Sequence, residues 1–307
     1  MFVTRLVLAL RRFPKWVVAQ VSFGLLTLLK VLPADPAIRF ADRLMRWIGP
    51  KTGRHRLMLT NLRNAFPEKT EEWREEIALG AWGHMGRLAA EYVFLDRLFD
   101  FDPLSEAEGR VEVSGVPIFL ELRDNPRPFI VFTAHTANFE MLPVAGAAFG
   151  LNVTVMFRPP NNPYIADKVF AFRKARMGNL VPSHAGSSFA LARQLEAGRG
   201  IGVLVDQKFN KGRETEFFGQ KVKTNPLLAK LARQFNCEVY PARCIRLPDN
   251  RFRLEIEPVM TLPRDERGLV DVDGTAQMLN DKVESWVREH PEQWLWYHDR
   301  WAIKRSL

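Results

Sequence analysis

From residue 110 onward, short apolar runs bounded by turn residues alternate with helix-length segments, and this alternation limits the fold more than any other feature of the chain. Strand-like runs fall at 111–113, 129–133, 153–157, 202–205, 238–244 and 252–257. Helix-like segments lie between and after them, at 140–149, 164–177, 187–197, 225–235 and 283–289. Strands that alternate with helices predict an α/β fold with a mostly parallel central sheet flanked by helices, and an antiparallel pair at its end. The 307 residues are ample for such a core.

The first hundred residues read differently. Residues 35–64 have the pattern of basic helices, and Thr70-Glu71-Glu72 opens a long amphipathic helix to about Leu98, with acids favourably placed in its first turn. The net charge is +9, and residues 1–60 hold eleven Lys/Arg against Asp35 and Asp42, so the excess lies in the N-terminal fifth and the body is neutral. The same fifth carries the most apolar segment, 16–29, preceded by Arg11, Arg12 and Lys15 and followed by Lys30. Its length falls short of the roughly 20 residues that span a bilayer. Extension through a snorkelling Lys30 to Leu32 gives a marginal span, and a tilted or interfacial helix is the alternative. The basic flanks favour anionic lipid on the cytoplasmic side of a membrane. No zinc-finger or RNA-recognition signature accompanies them, so nucleic acid is not an expected partner. The simplest division is a membrane-associated extension at 1–34, a helical region packing on the core at 35–109, and a catalytic α/β domain at 110–307. Cys237 and Cys244 lack Cys-x-x-Cys spacing and suggest reduced, non-catalytic thiols.

His135 and Glu140 follow directly on the apolar run at 129–133, which reads as a buried strand. Five helical steps turn about 140° past a full turn, so the two side chains diverge on one regular helix. They converge only if His135 sits in the strand-to-helix turn and Glu140 in the first helical turn. A carboxylate that orients and charges a histidine supplies the base for acyl transfer. The plain alternative is a satisfied buried histidine and an acid near a helix start. Arg158 and Asp206 also stand at ends of strand-like runs, where ligands bind in open α/β sheets. Arg173 and Arg176, three apart on one helix, are placed to face one groove. Thr224 can cap the helix that follows it, with Pro226 in the first turn. Phe217 and Phe218 read as core or pocket wall, and the aromatic run from Pro291 to Trp301 either packs beneath the site or lies at an interface. Gly-x-Ser-x-Gly, Walker A, dinucleotide and His-Glu-x-x-His patterns are missing, and His55, His84, His184, His290 and His298 are scattered without metal-ligand spacing.

Taken in order, His135-Thr-Ala-Asn-Phe-Glu140, Phe157-Arg158-Pro159 with Asn161-Asn162-Pro163, Leu204-Val205-Asp206-Gln207, Phe217-Phe218-Gly219 with Thr224, and Pro291-Glu-Gln-Trp-Leu-Trp resemble the bacterial lipid A late (secondary) acyltransferases. These are lauroyl/myristoyl-type members of the lysophospholipid acyltransferase superfamily. Asn61-Leu62 and Phe66-Pro67-Glu68 are similar too, so the likeness covers nearly the whole chain. The resemblance implies an enzyme on the cytoplasmic face of the inner membrane that needs no metal or redox cofactor. It would move a fatty acyl chain from acyl carrier protein, as co-substrate, to a hydroxyl of a 3-hydroxyacyl chain on a lipid A precursor glycolipid, usually one bearing Kdo sugars. His135 and Glu140 then match the family's catalytic pair, and Arg173 or Arg176 a functionally important arginine. Asp206 matches another polar site residue, and Arg158 joins the arginines as a candidate grip on acceptor phosphates or carboxylates. Lys208 departs from the pattern, since an acidic residue is common there. Alternatives are an acyltransferase for another glycolipid or lysophospholipid acceptor, and a catalytically silent membrane-binding protein.

Overall fold

A computed structural model describes residues 2–105, 109–160, 162–183 and 186–302, with the side chains of residues 2–12 and 25 left out. Asn161, His184 and the side chains of Arg11 and Arg12 therefore lie outside the described residues.

Seven strands form one sheet in the order β1-β9-β8-β2-β5-β3-β4. They are β1 (Val111–Ser114), β2 (Phe129–Thr133), β3 (Val153–Phe157), β4 (Asn179–Pro182), β5 (Gly200–Leu204), β8 (Glu238–Arg246) and β9 (Phe252–Ile256). Five run parallel from β8 to β4, while β9 is antiparallel to β8 and parallel to β1. The predicted mixed α/β sheet with an antiparallel pair is therefore what the chain forms. The period-two alternation of strands sorts their side chains between two faces. Ile130 and Phe132 of β2, with Ile201 and Val203 of β5, meet Leu191, Leu195, Leu228, Leu231 and Trp286 from the covering helices in the main core. Val131 and Thr133 of β2, with Gly202 and Leu204 of β5, line a cavity instead.

Helices α2 (Ala34–Ile48), α3 (Gly53–Ala65) and α4 (Glu71–Leu98) form the expected helical region. The hydroxyl of Thr70 accepts the N–H of Trp73 at 3.3 Å and caps α4. Further helices are α5 (Val116–Asp124), α6 (Met141–Ala148), α7 (Pro163–Arg176), α8 (Ser187–Glu196), α9 (Leu227–Phe235) and α10 (Val272–Glu289). The last starts eleven residues earlier than its apolar pattern suggests, because Asp271 caps it by accepting from the N–H groups of Asp273 and Gly274.

One expectation about this region is corrected. Thr224 does not cap α9: Asn225 does so through the N–H of Leu227 (3.0 Å), while the Thr224 hydroxyl joins Asn280 and Thr215 in a buried cluster. Thr224 instead ends β7 (Gln220–Thr224), which forms a separate two-stranded hairpin with β6 (Arg213–Phe217). Its two-residue turn places Phe218 (φ 54°) and Gly219 (φ 65°) in the left-handed region that matches the twist of a tight hairpin.

Helix α1 (Phe2–Val31) leans on α4 and α7. Among the described residues, no helix is long and apolar enough to cross a membrane, so the spanning reading of the N-terminal segment is not supported. From residue 13 onward α1 exposes Phe13, Trp16, Val17, Val18, Val21, Leu26 and Leu28, while Ala19 is buried.

Candidate active site

The three strand ends do converge. Strands β2, β5 and β3 are adjacent and parallel, so the residues just past their carboxyl ends, His135, Asp206 and Arg158, gather on one rim of the sheet. Between β2 and α6 the chain must turn sharply. It does so with Ala137 in the left-handed region (φ 46°), a backbone state that costs a non-glycine residue about 1 kcal/mol or more. Surrounding contacts hold it there. The Ala137 N–H donates to the Gln293 carbonyl at 2.8 Å, and Thr136 bridges Trp294. Below, the side-chain amide of Asn138 donates to Glu91 at 3.0 Å, and Glu91 is ion-paired with Arg246, both fully buried. Removing one partner of such a buried pair leaves an uncompensated charge and costs about 3–5 kcal/mol, so the turn rests on a rigid polar base. The side chain of Gln293 locks this base to β8 by bonding both the N–H and the carbonyl of Arg246.

The carboxylate bonded to His135 is Asp206. Nδ1 of the ring lies 2.8 Å from Oδ1 of Asp206, and the other carboxylate oxygen accepts the His135 backbone N–H at 2.9 Å. Trp294 donates its indole N–H to that same oxygen at 2.8 Å. Burial drives the Asp206 pKa up, but the charge and two hydrogen bonds of His135 and the Trp294 N–H outweigh it, and the carboxyl is held down at about 2. An ionised carboxylate only accepts, so Nδ1 of His135 keeps a proton, and a ring that loses its other proton has its lone pair on Nε2. The side-chain amide nitrogen of Gln207 sits 3.1 Å from Nε2, as a donor to that lone pair.

Glu140 does not take the orienting place assigned to it from the sequence. It lies at the N-cap of α6, one residue before the first helical turn, and is ion-paired with Arg173. Arg173 in turn donates to the Tyr92 hydroxyl at 2.9 Å. Burial raises the Glu140 pKa, opposed by the nearby positive charges of Arg173 and His135. Glu140 therefore reaches the histidine through its field, while Asp206 holds it by hydrogen bonds. The physical reason is the turn: with Ala137 left-handed, Glu140 is directed toward α7.

The arginines separate. Arg173 lines the cavity, whereas Arg176 does not; it turns to Asp96 on α4 and stacks over Phe172, so the two do not share a groove. Arg158 is exposed and lines the cavity. Asp206 is 4% exposed and shielded by His135 and Trp294, a place for supporting the histidine and not for touching substrate. The sequence marked Gln207 and Trp294 only as members of motifs and offered no signal for Tyr92, since their contacts depend on long-range packing. His298, judged unremarkable by spacing, lines the cavity and accepts the Lys208 N–H at 3.2 Å.

The cavity has a volume of about 680 Å³. His135, Glu140, Arg158, Arg173, Gln207 and His298 are at its polar end. Most of the remaining wall is apolar side chains of β2, β3, β5, α5 and α6, with Ser114, Arg123 and Glu255 among the polar exceptions. A base at one end of a long apolar cavity is suited to hold a hydrocarbon chain with its reactive head beside the base. Cys237 and Cys244 are buried unbonded thiols, pushed up by burial to about 11 and about 12.

A family model described as bacterial lipid A biosynthesis acyltransferase matches residues 4–303. The chain is 24% identical over 275 residues to a lipid A biosynthesis acyltransferase of Haemophilus influenzae, covering 88% of this chain and 83% of the relative. It is 25% identical over 270 residues to lipid A biosynthesis acyltransferase 2 of Shigella flexneri, covering 85% and 81%. To the lipid A biosynthesis myristoyltransferase of Escherichia coli it is 24% identical over 266 residues, covering 84% and 80%.

Proposed function

Because the chain belongs to the bacterial lipid A biosynthesis acyltransferase family, we propose that it transfers a fatty acyl chain from the thioester of acyl carrier protein to a hydroxyl of a 3-hydroxyacyl chain on a Kdo-bearing lipid A precursor, with His135 as general base. The observation that carries this reading is the lone-pair nitrogen of His135 facing an apolar cavity, with the opposite ring nitrogen fixed by an ionised carboxylate. The acceptor hydroxyl displaces Gln207 from Nε2 and gives up its proton there as its oxygen attacks the thioester carbonyl. Asp206 stabilises the imidazolium that forms, and the buried Glu140 adds a second negative field. Collapse of the tetrahedral intermediate breaks the carbon–sulfur bond, and the imidazolium returns its proton to the leaving thiolate. Arg158 is the exposed cation best placed to meet an acceptor phosphate or carboxylate, which a planar guanidinium binds bidentately.

The test is transfer of labelled acyl groups from loaded acyl carrier protein, with Kdo-bearing lipid A precursor compared against lysophospholipid. Transfer to the glycolipid supports the reading; transfer only to lysophospholipid replaces the acceptor, and transfer to neither refutes the enzyme.

The acceptor lives in a bilayer, and we place α1 and α2 on its anionic cytoplasmic surface. Support comes from exposure: α2 presents Phe40 (61%) and Trp47 (65%) beside the exposed Arg39 and Arg43, with the Lys51 ammonium 3.5 Å over the Trp47 ring. Aromatic rings set among cations suit the headgroup region. A double Phe40→Ser, Trp47→Ser variant should bind phosphatidylglycerol-containing vesicles at least about 10-fold more weakly in cosedimentation. Undiminished binding would remove α2 from the membrane surface.

A further inference from the structure

Two glycines line the cavity, and they differ in what their missing side chains would meet. A Cβ on Gly202 of β5 would come within 3.2 Å of Val155 and 3.4 Å of Val153, so that space is already filled. A Cβ on Gly146 would meet nothing within 4 Å, although Gly146 is a buried residue of α6. A buried position with open space before it faces the void, and the void here is the cavity that Gly146 lines. Glu140 is the N-cap of α6, and the helix runs away from it. At 1.5 Å per residue, Gly146 lies about 9 Å along the helix axis from that polar end. Just beyond, Phe149 ends the helix, and Phe99, Phe101 and Phe119 pack their rings around it at 6.2, 5.8 and 6.4 Å. All four rings line the cavity. They form an aromatic floor, and Gly146 guards the approach to it.

We propose that Gly146 is the position that sets how long an acyl chain this protein accepts, by leaving open the last stretch of cavity before the Phe149 floor. The proposal rests on the reading of the cavity as the acyl-chain site. A chain long enough to pass Gly146 gains contact with the floor, and one that stops short leaves that apolar space empty. A side chain at 146 would occupy the path and penalise long chains while leaving the polar end untouched. The helix tolerates the change, because an interior glycine is less favourable there than nearly any residue but proline.

The test compares the full chain with Gly146→Leu and with Gly53→Leu, a matched change at an exposed glycine whose Cβ likewise meets nothing within 4 Å. Each protein receives a mixture of acyl carrier protein thioesters of graded saturated chain length, with products read by mass spectrometry. Displacement of a fluorescent fatty acid by fatty acids of the same lengths gives a readout without turnover. For Gly146→Leu, selectivity for the longest accepted chains over shorter ones should fall about 10-fold or more, with the shorter chains transferred as before. Gly53→Leu should match the unmodified chain. An unchanged length profile in both assays overturns the assignment of Gly146 and leaves the acyltransferase reading standing. Should the unmodified protein transfer nothing while Gly146→Leu still shortens the fatty acids that displace the probe, the depth assignment holds and the transfer reading fails. If Gly146→Leu does not give a cooperative melt, Gly146→Ala must show a smaller shift in the same direction, and its absence refutes the proposal.

Discussion

His135→Ala should lower turnover by at least about 10²-fold, the usual scale for loss of a general base, and leave the KM for the acyl carrier protein thioester nearly unchanged. The side chain is 13% exposed, and among the described residues its ring nitrogens contact Asp206 and Gln207. The melting temperature should fall as well, because Asp206 is left buried without the ring that lowers its pKa. A His135→Ala variant with normal turnover would exclude the base mechanism, whatever its stability.

The second large effect should come from Asp206→Asn. This change keeps shape and volume but replaces an acceptor with an amide that can donate, so the histidine tautomer with its lone pair on Nε2 is no longer favoured. Losses on the order of 10⁴-fold follow elsewhere when the carboxylate behind a catalytic histidine is neutralised in this way. The double variant His135→Ala, Asp206→Asn should be no slower than His135→Ala alone, because the two residues act as one unit. Additive losses would show that Asp206 works independently of the ring. The same carboxylate has a signature in stability. Its folded pKa of about 2 lies below the ordinary 3.8, so its stabilisation is fully present above pH 3.8 and is lost as pH falls toward 2. That share is about 2 kcal/mol. Denaturant titrations of Asp206→Asn should lack it, and should therefore give a flatter acid limb than the unmodified chain.

Much of the fold was legible from periodicity. Six of the seven strands in the main sheet announce themselves as apolar runs, and Thr70 with Glu71 and Glu72 marks the start of α4. The exceptions have physical causes. Asn179–Pro182, at the sheet edge, is short and only half buried, so its sequence carries little hydrophobic signal. The β6–β7 hairpin alternates charged residues with single buried ones, and its turn is Phe218-Gly219, not a common Asn-Gly or Asp-Gly pair. At the site, strand ends correctly brought His135, Arg158 and Asp206 to one rim. Sequence spacing could not tell which carboxylate the histidine would hold, because that depends on the left-handed Ala137. No local pattern forecasts such a conformation in alanine; the hydrogen bond that holds it comes from Gln293, more than half the chain away.

That distance has a consequence for timing. During synthesis the N-terminal helices and the β2–α6 turn emerge well before Gln293 and Trp294, and domains generally fold in the order their residues appear. A nascent chain interrupted before Pro291 already carries the exposed aromatic face of α2 but lacks the groups that hold Ala137 and Asp206 in place. If α2 lies on the membrane surface as proposed, reaching the membrane and orienting the base would be separate events in the life of the molecule, since only the second needs Gln293 and Trp294.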